Sequence, residues 1–213
     1  MLPTSMAVLL LLQSTVILPG ASLEAAIVTL ARASGVPIGF EAAQSAPHET
    51  VALATPLDVR NQDPRVIVDR LLGHNTRYRW RESGGALEVR PLTPDGRPQL
   101  TLLDRPIDAL TLTNMTLPSA LDVVLKMYAP VGFRGAPRAR FGPSPQMLRS
   151  FSVHVEQTTV AGLLTQIVIE HGAAGWLVTY HAIDGNRGVA DPSIEVFTFD
   201  GRQFGQSVPM QSQ

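Results

Sequence analysis

No cysteine occurs in the 213 residues, so the chain has no disulfide framework, no thiolate metal site and no thiol nucleophile. Neither sign of charge is in excess. Seventeen Lys plus Arg stand against eighteen Asp plus Glu, a net charge of -1, which removes any overall pull toward nucleic acid or an anionic membrane. A long hydrophobic run is missing as well: the best candidate, residues 6 to 26, is broken by Gln13, Ser14 and Thr15 short of the roughly 18 to 20 apolar residues of a membrane helix. What remains is 45% hydrophobic and 16% charged, the composition of a globular chain with room for one large or two small domains.

Catalytic and metal motifs are equally scarce. His48, His74, His154, His171 and His181 form no H-x-H, H-x-x-x-H or H-E-x-x-H spacing that would bring two nitrogens to one metal. No G-x-S-x-G or glycine-rich phosphate loop occurs. "DGNRG" (184 to 188) alternates oxygen-bearing side chains but has no terminal Glu, and reads as a turn rather than a calcium loop. No catalytic residue, metal ligand or cofactor is therefore assigned.

Against these absences stands an internal repeat. "VILPGASLEAAIVTLARASGVPIGF" (16 to 40) lies over "LTLTNMTLPSALDVVLKMYAPVGF" (110 to 133): Val16 on Leu110, Leu18 on Leu112, Ser22 on Thr116, Leu23 on Leu117 and Ala26 on Ala120, all at an offset of 94. After a one-residue deletion, Pro37, Gly39 and Phe40 meet Pro130, Gly132 and Phe133. "LDVRNQDPRVIVDRLL" (57 to 72) matches "VHVEQTTVAGLLTQIV" (153 to 168) at offset 96, Trp80 then lands on Trp176, and "LEV" (87 to 89) meets "IEV" (194 to 196).

The same order of elements is expected in each copy. Ser22 and Thr116 are N-caps, followed by apolar stripes at i, i+3, i+4, i+7: Leu23, Ala26, Ile27, Leu30 and Leu117, Ala120, Leu121, Val124. A short strand follows ("VPIGF", "PVGF"), then an alternating strand with Leu57 and Val59, or with Phe151, Val153 and Val155. Next comes a second helix, opened in the first copy by Asp63 and Pro64 and stopped at Gly73 or Gly172. Two more strands close each unit. The fold class is thus α+β: two β-α-β-β-α-β-β modules, each with two helices packed on a small mixed sheet. The division runs 1–13, an apolar segment; 14–91, the first module; 92–107, a Pro-rich linker; 108–200, the second module; 201–213, a tail. Because Val16 to Leu18 is the counterpart of an internal strand, Ser14 to Leu18 is read as a strand, and residues 1–12 as the remnant of an export signal or a buried N-terminal segment.

This succession of strand, "xxLxxAL" helix, "GVPIGF" strand, alternating strand, "xxxxLL" helix ending at glycine and aromatic hairpin resembles the short N-terminal domain shared by secretins and TonB-dependent receptors. The likeness spans most of 14 to 91 and, more loosely, 108 to 200. It implies a periplasmic or cell-envelope location and a non-catalytic role: contact with an inner-membrane regulator, or assembly with secretion components. No barrel or secretin pore sequence follows, so the resemblance points to a tandem accessory or regulatory module rather than a receptor or channel.

Two arginine-rich stretches are candidate partner-binding residues. Arg77, Arg79 and Arg81 alternate with Tyr78 and Trp80, so a regular strand lines the guanidinium groups on one face and the rings on the other. This is either a solvated face behind a core Trp or a partner-binding strip. In "RGAPRARFGPSPQMLR" (134 to 149), Arg134, Arg138, Arg140 and Arg149 occur without an acid, as a disordered loop or as a dock for an acidic surface or lipid headgroups. Two functional readings follow: a non-enzymatic envelope interaction module, with self-assembly left open, or an enzyme or ligand binder with a pocket between the modules. A nucleic-acid reading is disfavoured by the net charge and by the lack of a G-x-x-G loop between helices.

Overall fold

The computed structural model describes residues 15–44, 49–73, 75–93, 96, 101–128, 138–139, 145–181, 191–200 and 203–207. Among the described residues no helix is long and apolar enough to cross a membrane. The "PVGF" strand, the "DGNRG" turn, Arg134, Arg140 and residues 1–13 lie outside the described residues.

The class is α+β. In chain order the elements are β1 (Val16–Ile17), α1 (Leu23–Ser34), β2 (Ile38–Glu41), β3 (Leu57–Asp58), α2 (Pro64–Leu72), β4 (Tyr78–Ser83), β5 (Ala86–Pro91), a single 3-10 turn at Leu102–Asp104, β6 (Pro106–Met115), α3 (Leu117–Tyr128), β7 (Arg138–Ala139), β8 (Phe151–Thr159), α4 (Val160–His171), β9 (Ala174–His181), β10 (Asp191–Thr198) and β11 (Gln203–Ser207). Local chemistry sets the helix ends. The Ala25 amide donates to Ser22 Oγ, the Arg65 amide to Asp63 Oδ1 at 2.9 Å ahead of Pro64, and the Ser119 amide to Thr116 Oγ1. Gly172 ends α4 in the left-handed conformation at φ 75°, whereas Gly73 ends α2 with φ 38° and ψ -101°, outside that basin.

The sheets are arranged differently from two separate small sheets. One seven-stranded mixed sheet runs through both halves in the order β4-β5-β2-β9-β10-β11-β7, and β2 pairs parallel with both β5 and β9. β1 pairs with β3, and β6 with β8, in two antiparallel ribbons. The expected tail contains β11, which pairs with β10, and the expected linker contains the 3-10 turn and the start of β6.

Register fixes which side each residue takes, because residues paired across strands share a face. One face carries the row Arg81, Glu88, Gly39, Trp176, Val196, and beside it Arg79 paired with Arg90. Helix α4 lies on this face: Thr165 of α4 donates to Glu88 Oε1 at 2.7 Å and accepts from Trp176 Nε1 at 3.1 Å. The opposite face carries Trp80, Val89, Phe40 and Leu177, with Ile38, Gly175 and Phe197 beside them. It meets α2, where Trp80 Nε1 donates to Asp69, and α1, where Arg32 sits 5.7 Å from the Phe197 ring centre. The first half's helices therefore cover one face and α4 the other, and a single core runs through three layers.

At the joint an aromatic ring lies across a glycine on each face. Trp176 crosses Gly39 and Phe197 crosses Gly175, so closely that a Cβ at either glycine would collide with the ring. Fully buried Trp176 thereby packs across strands from different halves, and fully buried Phe197 packs over the neighbouring strand of its own half.

Candidate interaction site at the β4 edge

β4 is one edge of the seven-stranded sheet. The Leu92 amide donates to the Arg77 carbonyl at 2.6 Å, which fixes the alternation: the amides and carbonyls of Arg79 and Arg81 point inward to β5, and those of Trp80 and Glu82 point outward. No described strand occupies that outer side. Pro91 sits in β5 past the end of β2, where the missing amide donor leaves no ladder bond unmade.

Arg79 and Arg81 share one face, as the alternation requires, and both are exposed. Arg77 is also exposed but lies in the turn before β4, so the three arginines do not belong to one regular strand. Arg81 is held by Glu88, its Nη2 2.7 Å and its Nε 2.8 Å from Oε2. Among the described residues the side chains of Arg77 and Arg79 form no ion pair. Trp80 is half-buried against α2 rather than a full core residue. Arg138 lies in β7, the opposite edge, opposite Gly205 of β11, so the structure does not bring it to the β4 edge.

Beside β4 the sheet opens into a groove of about 260 Å³ lined by Arg79, Arg81, Glu88, Arg90, Asp104 and Thr159. Below it lies a partly buried ionic network. Glu41 is fully buried, accepts from Tyr180 Oη at 2.6 Å and pairs with Arg90 at 2.9 Å; Arg90 in turn grips Asp104 at 2.9 Å. Burial pushes the Glu41 carboxyl above its ordinary value, against the pull of Arg90. Burial also opposes ionisation of Asp104, but Arg90 and the Thr101 amide overcome it and hold that carboxyl low. The charge on Arg90 is likewise opposed by burial and secured by Asp104 and Glu41. Burial, then the Glu41 carboxylate, pushes the Tyr180 hydroxyl up.

These groups hold the first half, the segment after it and the second half in one hydrogen-bonded unit. Sequence reading passed over Glu41, Glu88 and Arg90. The available signal was a charge inside each of the apolar strands "IGFE" and "LEVR".

No family model, no curated protein and no solved structure matches this chain.

Elsewhere, His154 on the exposed side of the β6–β8 ribbon bonds Thr111 Oγ1 at 2.9 Å through Nδ1 and Glu156 at 3.2 Å through Nε2. All three are exposed on the outer face of the ribbon. His171 is buried at the end of α4 and bonds the Gln146 carbonyl through Nε2, which places the C-terminal end of the 134 to 149 stretch against the core beside buried Met147. Among the described residues no group of three or more His, Cys, Asp and Glu is arranged to hold a metal ion.

Proposed function

We propose that the protein is a non-enzymatic interaction module of the periplasm or cell envelope, akin to the N-terminal signalling domains of secretins and TonB-dependent receptors and accessory to secretion or transmembrane signalling. The observation that carries this reading is the free edge of β4, with outward-facing amides and carbonyls at Trp80 and Glu82 beside exposed Arg79. The partly buried Glu41–Arg90–Asp104 network supports it by making the edge part of a rigid body, so little order has to be created on binding. The envelope location rests on the sequence resemblance.

A second reading, a small-ligand binder, is favoured by one feature: the groove lies where Asp104 and Thr159 approach the first half's strands. At about 260 Å³ it falls just below the roughly 300 to 1,000 Å³ usual for ligand pockets, and the interaction reading is preferred.

The test is site-directed photo-crosslinking in the native host, with the crosslinker at Glu82, followed by reconstitution with the identified protein and hydrogen exchange at Trp80 and Glu82. A crosslinked envelope protein that protects those two amides is the expected result. Crosslinking only to cytoplasmic proteins, or protection confined to the groove by a small molecule, would overturn the reading.

A further inference from the structure

An open strand edge invites a second copy of the same chain before any other partner, because an identical edge is always present. Self-pairing of β4 can be worked out register by register. Only outward-pointing residues can exchange ladder bonds, so antiparallel pairing must match Tyr78, Trp80 and Glu82 among themselves. Setting Tyr78 against Trp80 places Arg79 opposite Arg79 of the second copy. Trp80 against Trp80 places Arg79 opposite Arg81, twice. Trp80 against Glu82 places Arg81 opposite Arg81. Like charges directly opposite destabilise a strand pair, and every register that overlaps the middle of β4 contains such a pair. The arginines thus guard the edge against its own copy.

The same arrangement selects the opposite sign. Arg81 is balanced by Glu88, whereas Arg77 and Arg79 are exposed and, among the described residues, without an ion-pair partner. Arg79 also stands next to Arg90 across β4 and β5, but the Arg90 charge is taken up by Glu41 and Asp104, which leaves Arg79 as the unpaired cation of that face among the described residues. We propose, resting on the reading of this edge as an interaction site, that β4 receives an extended acidic segment of a partner protein as an eighth strand. Carboxylates at alternate positions lie beside Arg79 and Arg81, with Arg77 just beyond the start of the strand, and the residues between them are apolar and point to the Trp80 side. Main-chain bonds to Trp80 and Glu82 supply pairing, and the alternating acids supply register and selectivity.

The probe is a capped peptide of about eight residues alternating glutamate and valine. Its counterpart alternates lysine and valine, and both are titrated against the full chain by calorimetry at two salt concentrations. The glutamate peptide is expected to bind and the lysine peptide not to. Arg79→Glu should weaken the glutamate peptide about tenfold with an unchanged unfolding midpoint, and raised salt should weaken it further.

Glu82→Pro is the second variant. It removes the outward amide together with the exposed Glu82–Arg65 ion pair, so the fold is retained while strand addition is lost, and Glu82→Gln, which gives up the ion pair but keeps the amide, is the control that should still bind. Binding that survives Glu82→Pro would show a purely side-chain attraction and overturn the strand pairing. A wild-type dimer in sedimentation that Glu82→Pro dissolves would overturn the selection against self. Failure of both peptides to bind would overturn the acidic-strand partner; if crosslinking at Glu82 still captures an envelope protein that protects Trp80 and Glu82, the interaction reading itself survives that failure.

Discussion

Replacing Gly39 by alanine tests the joint of the sheet. The new Cβ would fall inside the Trp176 indole, against Cε2, Cζ2 and Nε1. The ring has little room to yield, because Trp176 is fully buried and its Nε1 is tied to Thr165, which is itself tied to buried Glu88. Overpacking of this kind costs about 1 to 3 kcal/mol, and displacement of the indole from Thr165 adds about 1 kcal/mol for the lost hydrogen bond. A total of about 2 to 4 kcal/mol is expected, out of the roughly 5 to 15 kcal/mol that stabilises a domain. Urea unfolding should show a lower midpoint at unchanged slope. Trp176→Phe on the Gly39→Ala background should recover part of the loss, because a smaller ring makes room, so the two changes together cost less than their sum. A Gly39→Ala midpoint within about 0.5 kcal/mol of wild type, or strict additivity with Trp176→Phe, would refute the close crossing of ring and strand.

Trp80→Ala should cost about 1 to 2 kcal/mol by thermal unfolding, since the ring is only half-buried and loses one bond to Asp69, whereas Trp176→Ala at the matching position should cost about 3 to 5 kcal/mol. The pH dependence carries two opposite signs. The Glu41 carboxyl is raised in the fold, so its contribution is fully present below the ordinary glutamate range and is lost as pH rises through its folded value. The Asp104 carboxyl is depressed, so its contribution is present above the ordinary aspartate value and is lost as pH falls. Urea midpoints across pH for Glu41→Gln and Asp104→Asn should each lack one of these slopes. Gly172→Ala forces a side chain into φ 75° and should lower stability by about 1 kcal/mol, measured by calorimetry.

Local chemistry made much of the fold legible. Ser22, Thr116 and Asp63 cap the helices they were expected to cap, and the periodic stripes Leu23, Ala26, Ile27, Leu30 and Leu117, Ala120, Leu121, Val124 are buried. Pairing between the halves was not legible. Alternation in "LEVR" implies one wet face and one dry face, which would set Glu88 and Arg90 in solvent. Instead α4 covers the side of the sheet that holds Glu88, while Asp104 and Glu41 close over Arg90, so these charges are buried or half-buried partners. The parallel contact of β2 with β9 leaves no turn signature, because no short connection joins strands so far apart in sequence. At the candidate site, alternation correctly put Arg79 and Arg81 on one face, but it overextended the strand to Arg77, where the Asn75 side chain accepts from the Arg77 amide and closes a turn.

The joint also has a mechanical consequence. Strands β2 and β9 run in the same direction, so a pull that slides one half past the other along the strand axes loads their ladder bonds together rather than one at a time. Such a slide must also drag the Trp176 ring off Gly39, an obstruction that bridges the two halves. A pull across the strands does not meet this obstruction in the same way and opens the ladder from one end. The two halves should resist shear far better than peeling, which makes the direction of an applied load, more than its size, the quantity that decides whether the protein stays in one piece.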